Sequence, residues 1–249
     1  MTRLLSEGFA KTIKSMRFWV VTGMIAAFTL LVVILEKCSD VIHEEASQMI
    51  LSMLSMQPLF MAIVPAMLLV RDFTQYTVRN KIICGHTRTG IYLAHLVMFD
   101  AVSLFYHTVS ILVGGCAGAL LLGGGNDITS KWSLYYIGVS YLLILAYASM
   151  TVFICMIVRG ISGVIIAYIF NSILAMFGGL AIFLIKDAGL IRLMSCVLLD
   201  MQTSEVLEGM NESKLPGCFK MYGMPLASLA YIVVLPIIGI RLFKKTDLK

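Results

Sequence analysis

One apolar run carries residues whose types and spacing suit chemistry inside a membrane. Asp100, Ser103, His107, Ser110 and Gly114 follow one another at steps of three and four, so a helix puts them on one face. A carboxylic acid is costly in hydrocarbon, and where one occurs it pairs, lines a water path or carries protons. Asp100 and His107 are the pair in this stripe able to exchange a proton, as a proton-coupled carrier requires. The plainer reading is that the stripe hydrogen-bonds a neighbouring helix or a second copy of the chain, since one acid and one histidine fall short of a relay. Asp100 is also close enough to the end of its run to meet water or Arg88. Asn171-Ser172, in another apolar run, reads as a packing pair. Met53, Met56 and Met61 add a soft surface to a run that Pro58 and Pro65 are expected to kink. Together with Asp100, Ser103, His107 and Asn171 they form the candidate translocation path, with core filling as the alternative role for the methionines.

Enzyme signatures are missing from the chain. There is no H-E-x-x-H, G-x-S-x-G or C-x-x-C, and no G-x-x-x-x-G-K-[ST] phosphate loop. The glycines at 114, 115, 118 and 123–125 are followed by no Lys-Ser/Thr and suit close helix contact and a turn. The six cysteines have no metal-ligand spacing; Cys196 and Cys218 share one loop, where a bridge and two free thiols are both compatible with the spacing.

The elements that must position these residues are membrane helices. Of 249 residues, 59% are hydrophobic and 13% charged, against roughly half and a quarter in soluble domains. Mean hydropathy is +0.93. The apolar runs lack the alternation of a β-barrel, so the expected class is an all-α membrane protein. Six transmembrane helices are expected at Phe18–Leu35, Ile50–Val70, Ile91–Leu122, Leu134–Val158, Ile161–Ile185 and Leu226–Leu242. The third is too long at about 48 Å for a core of about 30 Å, so it tilts, protrudes or breaks at Gly114-Gly115. Pro236 is expected to break the sixth. Residues 1–17 place Leu5, Phe9, Ile13 and Met16 on one face, an interfacial amphipathic helix. Within 186–225, Gly189–Leu199 is apolar but too short to cross and reads as re-entrant.

Thirteen Lys and Arg fall on the side of the two termini and six on the other, so both termini are expected to be cytoplasmic. That side includes the long polar connection Arg71–His95, RDFTQYTVRNKIICGHTRTGIYLAH, with four positive charges against Asp72. By charge alone it is a solvated loop that sets orientation. Its order says more: Arg71-Asp72, then Phe73 and Tyr76, then Val78-Arg79-Asn80, then Gly85-His86-Thr87-Arg88, then Ile91-Tyr92-Leu93 opening a span.

This order resembles the loop between spans 2 and 3 of permeases of the type-2 ABC exporter family. There an acidic residue precedes a short amphipathic helix, a Gly-x-[Ser/Thr]-Arg turn and the third span. The family also has re-entrant helices between its fifth and sixth spans, and a tail similar to Phe243-Lys244-Lys245-Thr246-Asp247. The resemblance covers the whole chain by topology and these three places by motif. It implies a single permease domain over residues 1–249, with 71–90 as coupling loop and Arg71, Asp72, Phe73, Tyr76, Arg79, Gly85 and Arg88 as the residues that meet a separate ABC ATPase. It implies two ATPase copies, which hold ATP and Mg, a second permease, identical or homologous, and no cofactor or catalysis on this chain. The expected setting is the bilayer of a bacterial cytoplasmic membrane, with no nucleic-acid partner. Short permeases of this family often export antimicrobial peptides, including bacitracin and lantibiotics. The alternative is a proton-coupled secondary transporter using Asp100 and His107.

Overall fold

The computed structural model describes residues 2–38, 49–51, 53–56, 77–122, 130–158, 161–185, 187–212 and 215–245. All regular structure among them is helical. In chain order the helices are α1 (Thr2–Ile13), α2 (Met16–Cys38), α3 (Thr77–Ile83), α4 (Arg88–Leu121), α5 (Lys131–Val158), α6 (Ile161–Leu184), α7 (Ala188–Val197), α8 (Leu199–Asn211) and α9 (Cys218–Lys245). Five of them, α2, α4, α5, α6 and α9, are long and apolar enough to cross a membrane. The chain is therefore a multi-pass helical membrane protein. The remaining expected span, Ile50–Val70, lies mostly outside the described residues, as do Pro58 and Pro65.

Helix α5 is the centre of the bundle and the most buried of the five long helices. It packs against α4, α6, α8 and α9. Its sequence explains this. Ser133, Ser140, Ala146, Ala148, Ser149 and Thr151 are all buried, and such small side chains let neighbouring backbones approach closely. By contrast α6 packs along α5 through Gly163 and Ala167, while Ile165, Ile169, Phe170, Ile173 and Phe177 are exposed. That is the expected distribution in lipid, where apolar side chains gain nothing from leaving the hydrocarbon.

Of the three alternatives for the long third span, the break is absent, and the break expected at Pro236 is absent too. Helix α4 runs 34 residues, about 51 Å, straight through Gly114-Gly115. Gly114 instead allows a close approach: a Cβ there would lie 2.6 Å from the Met49 carbonyl oxygen. Helix α9 likewise continues through Pro225 and Pro236. Pro236 is buried, and the packing of α9 on α5 outweighs the one missing backbone donor.

The helix expected over residues 1–17 is shorter, ending at Ile13, and Met16 already belongs to α2. Thr12 is buried and donates to the Gly8 carbonyl and to Met98 Sδ, and Gly8 also faces Met98. Leu5, Gly8 and Thr12 thus turn toward α4, whereas Ile13 and Met16 point outward. Between α6 and α9, α7 and α8 form a hairpin. Its tip, near Leu198, lies under Gly178 of α6, and Gln202 reaches Ser228, about 15 Å from the start of α9.

Cys84 and Cys218 sit at opposite ends of the bundle, and both are exposed free thiols. Cys196 is buried, and burial pushes its thiol pKa up, so it is protonated and shielded. With single-cysteine variants, an impermeant maleimide should label Cys218 on intact cells and Cys84 only after lysis, while Cys196 stays unlabelled until unfolding. Labelling of Cys84 on intact cells would reverse the orientation.

Candidate functional site

The connection before α4 is built by three local devices. Helix α3 ends in a reversal in which Gly85 N–H donates to the Ile82 carbonyl at 2.9 Å and His86 N–H to the Lys81 carbonyl at 3.1 Å. This pairing is the Schellman motif, and it needs a left-handed residue, here Gly85 at φ 88°. Thr87 then caps α4, its hydroxyl oxygen accepting from the Gly90 N–H at 3.2 Å. The Gly-x-Thr-Arg order therefore has a physical meaning: stop one helix, turn, cap and start the next.

Arg88 occupies the first position of α4, where the helix dipole disfavours a cation. It reaches across to the last turn of α9 and donates from Nη1 to the Lys244 carbonyl at 2.9 Å. That carbonyl is among those a helix end leaves without an internal partner. One turn further on, Tyr92 is buried against Phe243 at a ring separation of 6.2 Å, with its phenol over Gly239. Val78 of α3 joins the same buried cluster, with Ile91, Phe99, Val152, Cys155 and Met156. The short helix thus packs on α4 and shares, through Val78, a buried cluster with residues of α4, α5 and α9. Ile83, at its end, is 74% exposed, and Cys84 beside it is exposed as well. Arg79 lies on α3, while Arg71, Asp72, Phe73 and Tyr76 lie outside the described residues.

The polar stripe of α4 faces α5 in its middle section. His107 Nε2 lies 2.8 Å from Ser140 Oγ, both buried, and Ser140 donates to its own Ile137 carbonyl. Thr108 and Tyr141 pair at 3.0 Å beside them. Ser103 and Ser110 are buried. Ser103 Oγ and Asp100 Oδ1 have no hydrogen-bond partner among the described residues. Arg88 is turned to Lys244, away from Asp100, which lies about 18 Å further along the helix. Of the other path residues, Met53 is buried, Met56 is 47% exposed and Met61 lies outside the described residues. Asn171 is half-buried with an unpartnered Oδ1, and Ser172 bonds only along its own helix, to the Tyr168 carbonyl at 3.0 Å. The structure therefore brings His107 to α5, while Asn171 lies on α6 and forms no hydrogen bond with the stripe among the described residues. Among the described residues, no three His, Cys, Asp or Glu side chains gather to hold a metal.

A third polar group was not legible beforehand. Gln202 on α8 accepts from Ser228 Oγ of α9 at 2.8 Å and donates to the Cys196 carbonyl of α7. Tyr135 of α5 donates to the Met221 carbonyl of α9 at 2.8 Å, and Lys220 pairs with Glu205 at 2.5 Å. Ser228 in its apolar run was the available signal, whereas Gln202 stands among Asp200, Thr203, Ser204 and Glu205 and carried none. These bonds hold the hairpin to α9 at the end opposite the Gly85 turn.

Two stability outcomes follow. Gly85→Ala should cost about 1 kcal/mol, because alanine is strained at positive φ. Ser140→Ala should cost about 1–2 kcal/mol by leaving the buried His107 nitrogen unpaired, whereas Ser172→Ala should be near neutral. Thermal unfolding in detergent measures all three, and equal shifts for Ser140→Ala and Ser172→Ala would contradict the assigned pairing.

A comparison with protein-family models finds none that matches the chain, and a search among curated proteins finds no significant match.

Proposed function

We propose that the chain is the permease subunit of an ATP-driven exporter of the type-2 ABC family. The observation that carries the reading is the helix–turn–helix connection at Thr77–Arg88. It is a basic connection, held below by the buried Val78 and exposed at Ile83 and Cys84. A loop needed only for orientation requires charge, not a helix closed by a Schellman turn and capped into the next span. In this reading an ATPase subunit docks on the projection, and two ATPases serve two permeases, identical or homologous. ATP and Mg bind the ATPases, and the permease contributes no catalysis.

On this reading the first half of the connection, with Phe73 and Tyr76, belongs to the same docking surface. Residues Ile50–Val70 are taken as the second of six spans, both termini as cytoplasmic and the membrane as that of a bacterium. The α7–α8 hairpin is re-entrant from the outer side, its tip reaching into the bilayer beside Gly178 and Ser228. The substrate is a peptide or another amphipathic molecule. Acidic outer residues such as Glu205, Glu208 and Glu212 suit a cationic antimicrobial peptide, and self-protection against one is the physiological role that fits.

A second reading keeps Asp100 as the coupling group of a proton-driven carrier, and the unpartnered Asp100 oxygen is its observation. The engagement of His107 with Ser140 weighs against a direct Asp100–His107 relay.

The docking face is tested by substitution. A tagged chain purified in mild detergent should retain an ATP-hydrolysing partner. Ile83→Asp, and separately Phe73→Asp with Tyr76→Asp, should lose most of it while the permease stays folded and inserted. Full retention in both variants would remove the docking assignment. Loss of gradient-driven transport on Asp100→Asn, without nucleotide dependence, would favour the carrier.

A further inference from the structure

The bend between α1 and α2 is built more firmly than a simple connection needs. Helix α1 is pinned across α4 by Gly8 and Thr12 against Met98. The chain turns at Lys14-Ser15 and restarts as α2 at Met16. The Trp19 indole N–H reaches back and donates to the Ile13 carbonyl at 2.9 Å, tying the two helices together. Phe18 stacks inward on Tyr106 at 5.4 Å.

The outer surface of this bend has two chemistries side by side. Ile13, Met16, Trp19 and Val20 are exposed by 53%, 80%, 56% and 50%. Lys14 and Arg17 are exposed among them. The one acidic residue of the segment, Glu7, is paired with Lys11 at 2.5 Å. Lys14 and Arg17 form no ion pair with any described residue. The start of α2 lies between them and adds the positive end of its helix dipole.

We propose that this bend binds the headgroup of an anionic phospholipid, with Lys14 and Arg17 on the phosphate and the acyl chains against Met16, Trp19 and Val20. The apolar side chains decide between lipid and a soluble phosphate compound, because only a lipid covers them while its phosphate meets the cations. A tryptophan tied to the backbone at the junction of a basic and an apolar surface belongs at the headgroup level. Basic residues there favour anionic over zwitterionic lipid. The inference is independent of the transport reading and holds for any multi-pass protein with this bend.

Trp19 supplies its own reporter, since the chain has only two tryptophans. Trp132→Phe leaves Trp19 alone. This protein is reconstituted in phosphatidylcholine vesicles containing a small fraction of brominated phosphatidylglycerol, or the same fraction of brominated phosphatidylcholine. Quenching of Trp19 should be about threefold greater with the anionic probe and should level off as salt rises. Adding Lys14→Gln and Arg17→Gln should remove the preference while leaving quenching by brominated phosphatidylcholine unchanged, which shows that the bend is still folded and in contact with lipid. Equal quenching by the two probes, or a preference that survives both substitutions, would overturn the proposal. If the double substitution alters quenching by brominated phosphatidylcholine, Arg17→Lys decides: it keeps the charge and should keep the preference, and its loss there would also count against a headgroup site.

Discussion

In hydrocarbon, helices gain nothing by hiding apolar side chains from one another, so a bundle holds only where backbones come close and polar groups find partners. Helix α5 meets that constraint for the whole protein. Its small residues between Ser133 and Thr151 admit α4, α6, α8 and α9 to its surface. Its polar side chains then fix the neighbours: Ser140 receives His107 of α4, and Tyr135 holds the Met221 carbonyl of α9. Helices that make fewer such contacts, α2 and α6, keep their large apolar side chains outward.

Helix α9 is the element that joins the two ends of this bundle. Its last turn takes the Arg88 guanidinium and the Tyr92 ring, both from the start of α4. Its first turns hold the hairpin through Lys220 to Glu205 and Ser228 to Gln202. A displacement of the Gly85 turn would therefore act on a continuous helix whose other end carries α7 and α8. A protein interior is too densely packed to absorb such a push locally, so it would emerge at the hairpin. On the exporter reading, this is how ATP bound on one side of a membrane reaches a gate on the other.

The positions of the membrane helices were legible because long apolar runs have few other uses. Each of the five observed falls on an expected run: Phe18–Leu35 became Met16–Cys38, Leu134–Val158 became Lys131–Val158 and Ile161–Ile185 became Ile161–Leu184, while Leu226–Leu242 starts eight residues earlier, at Cys218. Continuity was harder to read. Gly114-Gly115 and Pro236 are helix breakers in water, but in lipid an unpaired backbone group costs more, and tertiary packing keeps both helices intact. The apolar pattern of residues 1–17 leaves Ile13 and Met16 exposed, whereas the packing of Gly8 and Thr12 on Met98 had no signal in that pattern. In the candidate site, the stripe Asp100–Gly114 was legible as a face of one helix, whereas its partner Ser140 and the Gln202–Ser228 bond were not. Those depend on which helices become neighbours, and no local pattern carries that information.

The central claim is that nucleotide on a partner moves this chain at its far end. The direct measurement places an environment-sensitive fluorophore on Cys218 as the sole cysteine, in membrane vesicles from the native source that retain the partner. The account predicts that Mg-ATP changes the emission, that Arg88→Ala weakens the change, and that a proton gradient without nucleotide has no effect. Emission that ignores Mg-ATP and follows the proton gradient would contradict it and transfer the function to Asp100.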